Sequence, residues 1–258
     1  MKRSHLPLFT TLLVLLFFYL PILILVINSF NAARFGGEWG GFTLDWYRKL
    51  FEDRPIWMAL RNTLIIAVSS TLSSMLLGTL AAFALHRYNS RLQRIHYTLV
   101  YTPLVVPDIL MGMSLLLFFV AAGFQLGLLT IYLTHVTFCI SYVAMVVLAR
   151  LQDFDFAVIE ASQDLGAGWW DTTWRVLLPM LAPGIAAGGL LAFTLSIDDF
   201  VITFFVAGPG STTLPIRIYS MIKHSRNMPI INALSTLLLV VTFVAVWSSQ
   251  RLTREKTT

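Results

Sequence analysis

Three carboxylates interrupt otherwise apolar sequence: Asp108, in Val106-Pro-Asp-Ile109, and the pair that closes Ala192-Phe-Thr-Leu-Ser-Ile-Asp-Asp199. An acid held at membrane depth is costly unless it faces water, a partner or a ligand, so each is a functional candidate by default. Spaced carboxylates with aromatic faces nearby suit a cationic cargo, which the acids pair with and the rings attract. Neighbouring residues of a helix point about 100° apart, so Asp198 and Asp199 cannot both line one path. Asp108 and Asp198 are therefore the pathway candidates, and Asp199 is expected to bond to a neighbouring helix. For Asp108 a second role stays open: following Pro107, it can satisfy backbone groups freed at the Pro103 and Pro107 kinks. His135 has two readings as well, a proton sensor or an interhelical hydrogen-bonding residue, and the second is the expectation.

A different chemistry is written between residues 151 and 183. Five acids (Asp153, Asp155, Glu160, Asp164 and Asp171) face two bases, Arg150 and Arg175. An acidic connector beside anionic head groups points to a surface reserved for a protein partner. Phe156, Ile159, Ala161 and Leu165 can share one face of a short helix around Glu160, which Gly166 would break. No nucleophile–base pair, zinc spacing or nucleotide-binding loop occurs, so neither cofactor nor metal is expected and the chain is not read as an enzyme.

The elements that hold these residues follow from composition. Of 258 residues, 57% are hydrophobic and only 12% charged, about half the charge of an ordinary soluble domain. This is an all-α integral membrane protein. The net charge of +5 is scattered between apolar runs and forms no basic stripe, which excludes nucleic-acid binding. The single Cys139 excludes an internal disulfide.

Charge-free runs cover residues 6–33, 62–86, 109–149, 176–197, 200–216 and 227–250. A span takes roughly 20 helical residues. The long third run needs a turn at Gly123-Phe-Gln-Leu-Gly127, and one helix is expected to cross both acids at 198–199. Six transmembrane helices result, at about 8–30, 62–86, 98–121, 128–149, 184–207 and 231–250, within a single transmembrane domain over 1–258. The first run is too long for a signal-peptide core and reads as an uncleaved span. Ten cytoplasmic against eight external positives, with three in Arg87–Arg94, favour both termini inside. Trp39, Trp46 and Trp57 in the first external loop suit an interfacial belt. Leu214, Ile218, Met221 and Ile222 suggest a short amphipathic surface helix after Gly208-Pro-Gly-Ser. Gly184, Gly188 and Gly189 suit close helix approach.

Glu160-Ala-Ser-Gln-Asp-Leu-Gly166, followed after nine residues by Val176-Leu-Leu-Pro179, resembles the "EAA" loop of bacterial ABC-importer permeases. Ser162 and Val176 stand where that pattern has Ala and Ile. The resemblance implies a cytoplasmic coupling helix that docks on an ATPase, with Glu160, Ala161, Asp164, Leu165, Gly166 and Pro179 in the coupling element. Ile27-Asn-Ser-Phe-Asn31, Trp46-Tyr47, Val106-Pro-Asp-Ile109, His135-Val-Thr-Phe-Cys139 and Thr213-Leu-Pro-Ile-Arg-Ile-Tyr-Ser220 extend it to the spermidine/putrescine permeases over nearly the whole chain. What that implies is a type I importer half of the MetI-like permease fold in the bacterial inner membrane. Its partners would be a homologous PotB-like permease, two PotA-like ATP-binding subunits and a PotD-like periplasmic polyamine-binding protein. A different small-solute cargo, or an ion-coupled secondary transporter acting through Asp108, Asp198 and His135, is the rival; the latter commonly shows internal repeats, and none is visible.

Overall fold

The computed structural model describes residues 6–34, 38–87, 91–225 and 227–254. Both chain ends, Lys2 and Arg3 in one and Lys256 in the other, lie outside the described residues, as do 88–90 of the Arg87–Arg94 loop and Arg226. Among the described residues the chain is helical, its one extended pairing being the isolated bridge Asn31–Phe42.

The helices are α1 (Leu6–Ser29), α2 (Asp45–Glu52), α3 (Arg54–Arg87), α4 (Arg91–Val105), α5 (Asp108–Ala121), α6 (Leu128–Gln152), α7 (Ala157–Asp164), α8 (Trp169–Thr172), α9 (Leu178–Asp198), α10 (Val201–Val206), α11 (Leu214–Ser220) and α12 (Met228–Arg254). Wide π-helical turns lie at Thr173–Leu177 and Met221–Ser225. Among the described residues, four helical stretches are long and apolar enough to cross a membrane: Leu8–Ser29, Arg54–Arg87, Leu128–Gln152 and Trp169–Asp198. The bent pair α4–α5 is a fifth where it is counted as one broken span, and Met228–Val244 is a shorter apolar helix.

Two compact units divide the chain, Met1–Trp57 with Arg217–Thr258, and Met58–Ile216. In the first, α1 and α2 pack on α12. The connection between α1 and α2 is knit around Asn31, whose side chain accepts from the backbone of Ala33 and Gly40 and donates to the Glu38 carbonyl. Trp46 is not a membrane-belt residue here. Its ring is buried and donates to the Asn31 carbonyl, because an indole N–H taken from water needs an acceptor. The expected amphipathic surface helix also differs. The α11 helix is seven residues long and passes into a wide turn; Leu214 and Met221 are buried, while Ile222 is exposed. Arg217 reaches Asp53 at 3.7 Å, and Lys223 lies over the Tyr219 ring.

The second unit is organised around α6, which carries thirteen buried residues and packs against α4, α9 and α10. Small residues set the spacing. A Cβ on Gly78 would stand 2.8 Å from Val143 Cβ, one on Gly188 3.3 Å from the Val143 Cα, and one on Gly189 2.5 Å from Met75 Sδ. Gly184 lies equally close to the Arg150 side chain, so the three glycines of α9 sit where helices touch.

Two expected helices are interrupted. The span expected at 98–121 is two helices bent by 115° at Val106-Pro107. Pro107 has no N–H to give and drives the residue before it out of helical conformation. Asp108 is thus the first residue of α5, and does not lie ten residues along a straight rod. The helix expected to run through Asp198 and Asp199 ends at Asp198, and Asp199 is extended (φ −61°, ψ 121°) before α10 begins at Val201. No proline causes this break; its cause is the side chain of Asp199.

Candidate functional site

Asp199 ends one helix and starts the next. Its carboxylate accepts the amide N–H groups of Ile202 (3.3 Å) and Thr203 (2.8 Å) and the Thr203 hydroxyl (2.5 Å). These are orphan donors at the start of α10, which in a membrane have no water to turn to. From α6, His135 completes the cluster. Its Nδ1 is 2.6 Å from Ser196 Oγ, its Nε2 is 2.8 Å from Thr203 Oγ1, and Asp199 Oδ2 lies 3.5 Å away. Ser196 in turn meets Ser70 of α3 at 3.1 Å. His135 is 1% exposed and the Asp199 side chain 10%. Thus Asp199 is bonded to a neighbouring helix, and His135 makes interhelical hydrogen bonds.

Asp198 has the opposite surroundings. It is exposed and enters no ion pair among the described residues. It also sits at the carbonyl end of the 21-residue α9, where the partial negative charge of the helix adds to that of the carboxylate. Asp108 is exposed too. Contacts of α6 run in reverse order to α9–α10: Arg150 with Gly184, Val143 with Gly188, His135 with Ser196 and Thr130 with Val206. The short connection 122–127 folds α5 back against α6, with Phe119 and Ile131 in one buried cluster. Consequently α5 and α10 run parallel, touching where Gly112 meets Ile202 and Phe205. Asp108 and the Asp198–Asp199 break lie at the same end of that pair.

The second candidate element is the connector between α6 and α9. Asp155 accepts the Ala157 N–H to open α7, which carries Glu160, Ala161 and Asp164. Its end is a Schellman turn: Ala167 N–H bonds to Ser162 C=O and Gly166 N–H to Gln163 C=O, with Gly166 at φ +86°. Only glycine adopts that conformation without strain, so the local fold explains the residue at this position. Ser162 bonds to Thr172 of α8 at 3.0 Å, and Phe154 and Ile159 pack on the core of the unit. The expected single apolar face is not formed. Leu165 follows the helix and is 90% exposed, and Ala161 faces outward with Glu160 and Asp164. Trp169, Trp170 and Trp174 are exposed beside them. Pro179 lies apart from this cluster, at the start of α9 just after the wide turn.

Sequence reasoning missed Ser70, Ser196 and Thr203 as members of the polar chain. The signal was present, since Thr203 stands four residues after Asp199, one helical turn on, where its hydroxyl can reach that carboxylate. It also missed His86, whose ring stacks on Phe156 at 5.0 Å and braces α7 from α3.

An all-helical membrane unit with interrupted helices and an exposed, capped connector between two of them has the architecture of a membrane transport component. Residues 74–257 match the family described as binding-protein-dependent transport system inner membrane component, and the chain belongs to that family. It is 42% identical over 93% of its length to the spermidine/putrescine transport system permease protein PotC of Escherichia coli K12, covering 91% of that protein. It is 41% identical to the putrescine transport system permease protein PotI of the same strain, over 93% of this chain and 89% of that one. Among solved structures, a bacterial ABC transporter involved in the import of alginate superposes with a TM-score of 0.74 at 18% identity, covering 98% of this chain and 97% of that one. The MetNI methionine ABC transporter gives 0.61 at 19% identity, covering 83% and 98%. The fold is that of ABC-importer permeases.

Proposed function

We propose that this chain is one permease half of an ATP-driven importer for polyamines, of the spermidine and putrescine class. The observation that carries the cargo reading is the exposed Asp198 carboxylate, in no ion pair among the described residues, at the carbonyl end of α9 and at the last residue of the apolar stretch Trp169–Asp198. Carbonyl ends of broken membrane helices are sites where transporters coordinate cations. A primary ammonium of a polyamine finds there a full charge, helix carbonyls and, one helix away, a second exposed acid at Asp108. The names of the 42% and 41% identical relatives support the same cargo.

In this reading Glu160, Ala161, Asp164, Leu165 and Gly166 present a rigid outward surface to an ATPase, and Pro179 passes the motion of that surface into α9. The partners are a second, PotB-like permease, two PotA-like ATP-binding subunits that hydrolyse the ATP, and a PotD-like periplasmic binding protein. Both termini face the cytoplasm. ATP binding draws the ATPases together, the permease pair opens outward, cargo passes from the binding protein, and hydrolysis returns the pair to an inward-open state.

The test is uptake of labelled spermidine and putrescine into proteoliposomes that hold the complete complex, with and without ATP and the binding protein. The proposal predicts uptake that needs both. Uptake that persists without ATP overturns it in favour of an ion-coupled carrier. ATPase stimulation by a binding protein loaded with another solute, with no polyamine uptake, overturns the cargo.

A further inference from the structure

The polar chain around His135 has a direction. Thr203 spends its hydroxyl proton on Asp199 Oδ2, so Thr203 Oγ1 can only accept from His135 Nε2. An imidazole carrying its proton on Nε2 leaves Nδ1 to accept from Ser196, whose oxygen then accepts from Ser70. The donors of Ser196, His135 and Thr203 thus point toward Asp199, while the Ser70 hydroxyl is shared between Ser196 and the Ala67 carbonyl, and each hydrogen bond of the run polarises the next. Ser196 lies on α9, two residues before Asp198, and Thr203 lies on α10. His135, on α6, holds both sides of the break at once.

We infer that His135 is a positioning residue for Asp198: by clamping Ser196 and Thr203 across the α9–α10 break, it commits Asp199 to the cap and leaves Asp198 as the acid turned to open space. The clamp is what decides which of two adjacent carboxylates meets a cation. Without it, the break loses the side chain that hydrogen-bonds both of its sides, and rejoining of the two helices through Asp199 would rotate residue 198 away from its present outlook. The inference rests on the polyamine reading for its physiological meaning, though the geometry it concerns is that of the permease alone.

The experiment uses the complete complex. Cys139, the sole cysteine of this chain, is replaced (Cys139→Ala), and an Asp198→Cys variant is labelled with a cationic methanethiosulfonate reagent, followed by the mass of this chain. Adding His135→Ala is expected to slow labelling at least about fivefold, the scale of one lost buried hydrogen-bond pair. His135→Gln, which keeps one donor and one acceptor, restores labelling to within about twofold. In complexes that retain Asp198, His135→Ala raises the KM for spermidine about tenfold by the same argument, with a smaller change in kcat. Unchanged or faster labelling in an assembled His135→Ala complex overturns the inference. Should that complex not assemble, Thr203→Val is read the same way, since it removes the hydroxyl that accepts from His135 and donates to Asp199. If the parent complex takes up no spermidine, the polyamine cargo falls, while the labelling arm still decides the clamp.

Discussion

Two helices of the second unit are broken, and they are broken by different means. Between α4 and α5 the backbone is interrupted by Pro107, and the acid that follows, Asp108, is left exposed. Between α9 and α10 nothing in the backbone demands a break, and a side chain makes it: Asp199 captures the amides of Ile202 and Thr203, with His135 behind it. The first break is covalent and passive. The second is an arrangement of hydrogen bonds that can be taken apart, and it divides two adjacent acids into one that holds the fold and one that is free. In the proposed reading, the acid that meets the cargo stands at a break of the second kind, which a transporter can remake as its path reshapes.

The largest effect that would sharpen this contrast comes from reversing the free charge. Asp198→Lys places a like charge against a cationic cargo, which costs several kcal/mol, and spermidine uptake is expected to fall at least about 100-fold with the complex still recovered intact. Uptake near the parent level breaks the comparison at once. Next is the cap. Asp199→Ala removes the acceptor for the first amides of α10 and should lower the stability of the complex by about 1–2 kcal/mol, read as a drop in its thermal midpoint. Comparable in energy but different in place is Gly166→Val. A β-branched side chain at φ +86° costs about 1–2 kcal/mol, and recovery of the ATPase with this chain should fall roughly 5- to 30-fold while the helices remain inserted. The smallest effect belongs to the proline break. Pro107→Ala returns an amide without making the connecting contacts of a straight helix, and stability should change by less than about 1 kcal/mol.

What could be read beforehand follows the same division. Runs without charge disclosed the apolar helices, because a bilayer admits little else, and Gly166 disclosed the end of α7, because its turn needs a left-handed residue. Asp199 was legible as a bonded acid from the 100° step between neighbours, although its bond also ends the helix that was to display it. That could not be seen from the run of residues 184–207, whose charged residues are the two acids alone. Its cause is a histidine 64 positions earlier in the sequence and a threonine four positions later, joined only by the fold. Proline breaks are local and announce themselves, yet from sequence Pro107 reads as a kink within one span, since a proline fixes one residue's backbone but not the angle between helices. Trp46 shows the same limit: its residue type suits a membrane interface, but the carbonyl of Asn31 claims its N–H.

The central claim is the division of labour between Asp198 and Asp199, and the most direct test compares Asp198→Asn with Asp199→Asn in the same reconstituted complex by the KM for spermidine uptake and the thermal midpoint. Loss of a charged partner at the cargo is worth roughly 10- to 150-fold, and the account predicts that increase in KM for Asp198→Asn with an unchanged midpoint, whereas Asp199→Asn lowers the midpoint. A raised KM at unchanged stability for Asp199→Asn, with Asp198→Asn behaving as the parent, would contradict it.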